Sequence, residues 1–242
     1  MSDATEPAAV ASYSVAADGV ALIRLERPRS RNAIDTQMLG ELLEHLAVAR
    51  GDDAVRVLVF CSADHMGFSA GADVREVLDH DGHVRRMEMF SDLYDTIVAF
   101  PKPTVAACHG DVVGGGAEIS IACDMRVGGA NLRMRFPGAA LGMPVGPARL
   151  VTLCGLGAAK YLLLTSRTVG PDEALRLGLI NRVAPAAATE ESALALAASV
   201  AAHPPEAVAR LKRMLHEWDD IEGRSAAEGV GQVEHVRGAG FP

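Results

Sequence analysis

Through the first half of this 242-residue chain, short strand-like apolar runs alternate with segments of helical spacing, and beyond Pro144 the pattern is helical. Helices that separate strands favour parallel pairing with the helices packed on the sheet, so the expectation is an α/β core followed by a helical C-terminal region. Residues 20–25 form a short β-type run that stops at Arg27-Pro28. Asp35 then precedes Met38, Leu39, Leu42, Leu43 and Leu46, a helical spacing behind an acidic N-cap. Residues 55–60 are nearly continuous apolar, as in a buried strand. Val84, Met87, Phe90, Leu93, Tyr94, Ile97 and Val98 share one helix face, which Pro101-Lys102-Pro103 ends. Residues 104–108 are strand-like, three glycines follow at 114–116, and 117–123 read as a short buried helix. Strands are expected at 125–127, 132–136 and 179–183, and helices near 147–154, 158–164, 171–177, 189–202 and 205–217. The tail from Glu222, rich in Gly and Ala, falls outside this regular part. No sequence repeat of fixed period is present.

Composition narrows the class. Hydrophobic residues make up 49% and aromatics only 4%, so the core is built on close backbones rather than large rings. A formal charge of −8 disfavours nucleic acid, and a polyanionic ligand would need a local cluster of cations. Cys61, Cys108, Cys123 and Cys154 form no C-x-x-C pair and lie in or beside apolar runs, as small buried residues of a reducing compartment do. Residues 1–12 carry no basic residue and no long apolar run, which argues against a signal peptide. No uninterrupted apolar stretch approaches the roughly 20 residues of a membrane span, so a cytoplasmic protein without a membrane partner is expected.

Three constellations carry chemistry. Phe68-Ser69-Ala70-Gly71-Ala72-Asp73 lies between a buried strand and a helix, and its small residues admit a ligand close to the backbone. Gly110 to Glu118 also follows a strand and opens a helix, where free N–H groups favour a negative ligand atom. Two such loops together supply the pair of donors an oxyanion needs. Glu26-Arg27-Pro28-Arg29-Ser30-Arg31-Asn32-Ala33 puts three arginines in five positions, a basic patch suited to phosphates or, read blandly, a solvated turn.

In order and spacing these motifs resemble the crotonase (enoyl-CoA hydratase/isomerase) superfamily. The likeness rests on Leu25-Glu26-Arg27-Pro28 with Asn32-Ala33, on 68–73, on Gly114-Gly115-Gly116-Ala117-Glu118, and downstream on Ala122-Cys123-Asp124, Phe136-Pro137 and 178–183. It implies a crotonase-like spiral of repeated ββα units over 13–186 holding an acyl-CoA site. It further implies a helical region over 187–242 that drives a homotrimer or a dimer of trimers. By the same resemblance, the amides of Ala72 and Gly115 would polarise the thioester carbonyl and Glu118 would be the catalytic carboxylate. Arg29, Arg31, Ala33, Ala70, Asp73 and Val74, with Gly114, Pro137 and Gly138, would line the acyl-CoA channel. Coenzyme A enters as part of the substrate, and neither a metal nor a separate cofactor is implied. At the start of its helix, Glu118 is expected to be held ionised.

The chain departs from the pattern at one position that matters. Hydratases carry a second glutamate after the proline, and here Gly138 takes its place with no acid beside it. Asp111, Glu76 and Asp79 are the nearest candidates to substitute. The charged and aromatic tail with which many relatives close a neighbour's site is also missing after Glu222. Three other readings stay open. One is a non-catalytic acyl-CoA binder. Another is a different crotonase chemistry, such as decarboxylation or thioester hydrolysis. The third is a serine hydrolase, because Gly67-Phe68-Ser69-Ala70-Gly71 fits G-x-S-x-G with His203, His216 and His235 downstream. A dinucleotide site is disfavoured, since Ile119 occupies the last glycine position of G-x-G-x-x-G.

Overall fold

The computed structural model describes residues 8–239. Strand β1 (Ala11–Val15) pairs antiparallel with β2 (Val20–Leu25), and α1 (Thr36–Gly51) follows a 3-10 turn at Pro28–Ser30. Three ββα units come next: β3 (Val57–Ser62), β4 (Gly67–Ser69) and α2 (His80–Val98); β5 (Thr104–Cys108), β6 (Asp111–Val113) and α3 (Gly115–Ala122); β7 (Met125–Gly129), β8 (Arg133–Arg135) and α4 (Pro147–Thr165). The chain continues through β9 (Thr168–Val169), α5 (Pro171–Arg176), β10 (Arg182–Ala184), α6 (Thr189–Ala201), α7 (Pro205–Asp219) and α8 (Ile221–Ala239).

Each unit sends its first strand to one sheet and its second strand to another. The larger sheet runs β1-β2-β3-β5-β7-β10, parallel from β2 onward, and the smaller runs β4-β6-β8-β9. This stepwise winding is the ββα spiral expected from the motifs. It brings the turns after β4 and β6 side by side, because their strands are parallel neighbours.

Alternation along the strands assigns the faces. Val57, Val59, Cys61, Val105, Ala107 and Val127 face Ala193, Ala197 and Ala201 of α6, whose small side chains let that helix lie close. Leu58, Phe60, Ala106 and Cys108 join the main core with Met38, Leu39, Leu42 and Leu46 of α1. Burying each such leucine is worth about 1.5–3 kcal/mol. Asp35 caps α1, accepting from the Met38 amide at 2.9 Å, as its position suggested. The two helical segments expected at 147–154 and 158–164 are the halves of α4, broken at Gly155, whose φ of 76° and ψ of 160° are not helical. By length and composition α4 could cross a membrane, although Arg149 within it is buried among polar partners.

Periodicity left the Gly/Ala-rich tail outside the regular elements, whereas the family likeness implied a helical region there. The tail forms the 19-residue helix α8, which lies along α2. Its glycines weaken the apolar periodicity, and Gly229 lets the two helices approach closely. A Cβ at Gly229 would come within 1.9 Å of Ser91 Oγ on α2, whereas one at Gly231 would meet nothing. Gly229→Ala should therefore cost about 1–3 kcal/mol by overpacking. Gly231→Ala should be neutral, or stabilising by up to about 1 kcal/mol. Urea unfolding of the two variants checks the contrast.

Candidate active site

The two loops meet as expected. Gly71 has φ +92°, and a Cβ there would stand 2.8 Å from the Val113 carbonyl oxygen and 3.3 Å from the Gly115 nitrogen. A Cβ on Gly116 would fall 2.5 Å from that of Ser69. Gly114, at φ 49° and ψ −120°, precedes α3 as its N-cap, and a Cβ there would lie 3.7 Å from Pro137 Cγ. Ala70, Gly114, Gly115 and Pro137 are thus gathered at one place. Ala72 forms a bridge with Ile34. The Ile34 amide donates to the Gly71 carbonyl and the Asp73 amide to the Ile34 carbonyl, both at 2.8 Å, so the Ala72 N–H points to the opposite side. Gly115 is the first residue of α3, where amides have no intrahelical acceptor. Among the described residues, neither of these two amides finds an acceptor.

Glu118 lies one turn into α3 and is 1% exposed. Its Oε2 accepts from Arg149 Nη2 at 3.0 Å and Nε at 3.3 Å. Arg149 Nη2 also donates to Glu228 Oε1 at 2.7 Å, and Nη1 donates to Ser225 Oγ at 2.8 Å. The guanidinium carbon sits 4.9 Å from the centre of the Tyr94 ring. Gly146 is required here, since a Cβ on it would reach 2.5 Å from Glu118 Oε1. Burial raises the Glu118 carboxyl to about 7; Arg149 opposes the rise, and the Glu228 charge adds to it. Desolvation of the buried carboxylate works against the pull of the helix start, so the carboxyl ionises near neutral pH rather than well below it.

The basic patch is less free than its composition suggested. Arg27 pairs with Asp35 at 2.9 Å and Asp73 at 3.2 Å, and Arg31 pairs with Asp111. Asp73 is buried and also bonds Arg75, so its carboxylate is committed within the loop. Ala33 is buried beside Arg27, while Arg29 and Val74 are exposed. The acids considered as substitutes are engaged elsewhere. Asp111 holds Arg31 and Arg133, Glu76 holds Arg86 and the Thr36 amide, and Asp79 caps α2.

Gly138 opens a 3-10 turn, and a Cβ on it would come 2.5 Å from the Met143 carbonyl oxygen. A side chain there would require the 138–143 turn to move. The serine-hydrolase reading loses its nucleophile: Ser69 is 1% exposed and its hydroxyl donates to the Asn32 carbonyl at 2.7 Å. Arg149, Glu228 and Tyr94 were not picked out from the sequence as site residues. The available signal was Arg149 itself, a lone cation in the apolar 147–154 segment, where burial demands a partner.

The fold and these loops define a ββα-spiral protein with two bare amides on touching loops and a buried carboxyl one turn into the helix that Gly115 opens. The sequence profile of the family described as Enoyl-CoA hydratase/isomerase matches residues 16–229. The 2,3-dehydroadipyl-CoA hydratase of Escherichia coli (strain K12) is 32% identical, over 84% of this chain and 80% of its own. The short-chain-enoyl-CoA hydratase of Clostridium acetobutylicum is 30% identical, over 81% and 77%. The crystal structure of an enoyl-CoA hydratase from Bacillus anthracis superposes with a TM-score of 0.83 at 27% identity, covering 97% of this chain and 98% of that one. The chain belongs to the enoyl-CoA hydratase/isomerase (crotonase) family.

Removing Arg149 would leave two carboxylates buried without a counter-charge. Arg149→Leu is expected to cost about 3–5 kcal/mol at about pH 8. The loss should be smaller at about pH 5, where Glu118 carries its proton. Denaturant unfolding at the two pH values measures the difference.

Proposed function

We propose that this chain is an acyl-CoA enzyme that polarises a thioester carbonyl between the amides of Ala72 and Gly115 and moves protons with Glu118 as its single carboxylate. The observation that carries this reading is the placement of two unengaged amides on touching loops, beside a carboxyl raised to about 7. Donors set where the oxyanion forms stabilise the enolate without rearranging. Coenzyme A enters with the substrate. The exposed Arg29, with Arg31 close by, faces its phosphates, and Ala70, Gly114 and Pro137 border the acyl end.

The proton chemistry favours isomerisation over hydration. Hydration divides acid and base work between two carboxyls, and at Gly138 the backbone leaves no room for the second. A 1,3-shift needs one group that takes a proton from one carbon and returns it to another. Such a group works best with a pKa near the working pH. Self-association as a trimer or a dimer of trimers accords with the exposed apolar row Leu211, Leu215 and Trp218 on α7.

With 3-enoyl-CoA, kcat/KM should rise with pH through about 7 as Glu118 ionises to act as base. Glu118→Gln should lower it about 10²–10⁴-fold. Hydration of trans-2-enoyl-CoA should be much slower than isomerisation. Tight binding of these thioesters with no turnover, and no change on Glu118→Gln, would replace this reading with non-catalytic acyl-CoA binding.

A further inference from the structure

We propose that Glu228, on α8 and outside both glycine loops, is a positioning residue that divides the Arg149 guanidinium with Glu118 and so leaves Glu118 as the carboxyl that holds and releases a proton. The inference rests on the reading of Glu118 as proton carrier.

The two carboxyls are not equally provided for. Glu228 accepts from the Gly146 amide at 2.8 Å, the Ala148 amide at 2.7 Å, Gln232 Nε2 at 2.7 Å and Arg149 Nη2 at 2.7 Å. The two amides belong to the N-terminus of α4, where an anion is favoured. The hydrogen bonds recorded for Glu118 come from Arg149 alone. Two buried carboxyls facing one guanidinium are best neutralised by one added proton. That proton belongs on the carboxyl with fewer donors, which is Glu118. Proton exchange at Glu118 therefore leaves the Glu228–Arg149 pair intact, and the helix that supplies Glu228 helps to set the pH at which the exchange occurs.

Two further titratable groups beside the pair lie on α2, and Arg224 of α8, bonded to Asp219, lines the same cleft as Glu228. Tyr94 packs under Arg149, and its phenol is held well above the usual value, first by burial. Asp95 accepts from Ser225 Oγ at 2.6 Å and is itself raised by burial. Neither is recorded as a hydrogen-bond partner of Glu118.

The test is a pH titration of the Glu118 carboxyl carbon in 13C-glutamate-labelled protein, with the resonance assigned through Glu118→Gln. Glu228→Gln keeps an acceptor for Arg149 but removes the charge, so the Glu118 midpoint should fall by about one pH unit or more. Glu228→Asp, which keeps the charge, should restore the parent midpoint. Gln232→Leu removes one donor from Glu228 and should shift the Glu118 midpoint the same way by less; it carries the test if Glu228→Gln does not fold. An unmoved midpoint in a folded variant, judged by circular dichroism, overturns the proposal. The titration needs no substrate. Midpoints that shift as stated in a protein without turnover would leave the division of Arg149 standing and remove the catalytic reading. Turnover with unmoved midpoints would do the reverse.

Discussion

The guanidinium of Arg149 is the point where four helices are joined. It sits on α4, holds Glu118 of α3 and Glu228 and Ser225 of α8, and stacks on Tyr94 of α2. Burying a charge of this size is expensive unless every donor is met. Each guanidinium nitrogen is met here, which fixes the angle at which α8 lies against the rest. The smaller glycine-based fit between α8 and α2 then closes the same junction from the apolar side. One set of contacts thereby docks the C-terminal helix and defines the surroundings of the Glu118 carboxyl.

On the other side of Glu118, the limiting quantity is distance between backbones. Gly71, Gly114, Gly115 and Gly116 lie where two strand-to-helix turns touch, and Gly71 and Gly116 have no room for a Cβ. The parallel pairing of β4 with β6 makes the turns neighbours, and the glycines let them close. Amides are left over because one belongs to a helix start and the other to a single-residue bridge. Neither amide depends on a side chain for its placement. The carboxyl half, held by long side chains, is where charge can change.

That difference also explains what could be read in the chain. β5, the Asp35 cap, the apolar face of α2 and the glycine loops are local features, carried by periodicity or by residue type within a few positions. The ββα spiral followed from their order together with the family likeness. The pairing of Arg149 with Glu228, 79 positions apart, has no local signature. Helix α8 was illegible for a related reason: Gly223, Gly229 and Gly231 lower helix propensity and weaken its apolar stripe, while close approach to α2 supplies the stability instead. The raised carboxyl of Glu118 was not foreseen because helix position is visible in sequence and burial is not.

Gly138 and the Arg149 group make sense together. The buried cluster already holds two carboxyls for one arginine, and the chain places no third acid at position 138. The turn at 138–143 leaves no room for that side chain, and the hydrogen bond from the Met143 amide to the Gly138 carbonyl at 2.8 Å holds the turn closed. With Glu118 as the proposed proton carrier, a carboxyl raised to about 7 suits a reaction that asks a single group to act first as base and then as acid. In the proposed reaction, the two amides hold the enolate between those two steps.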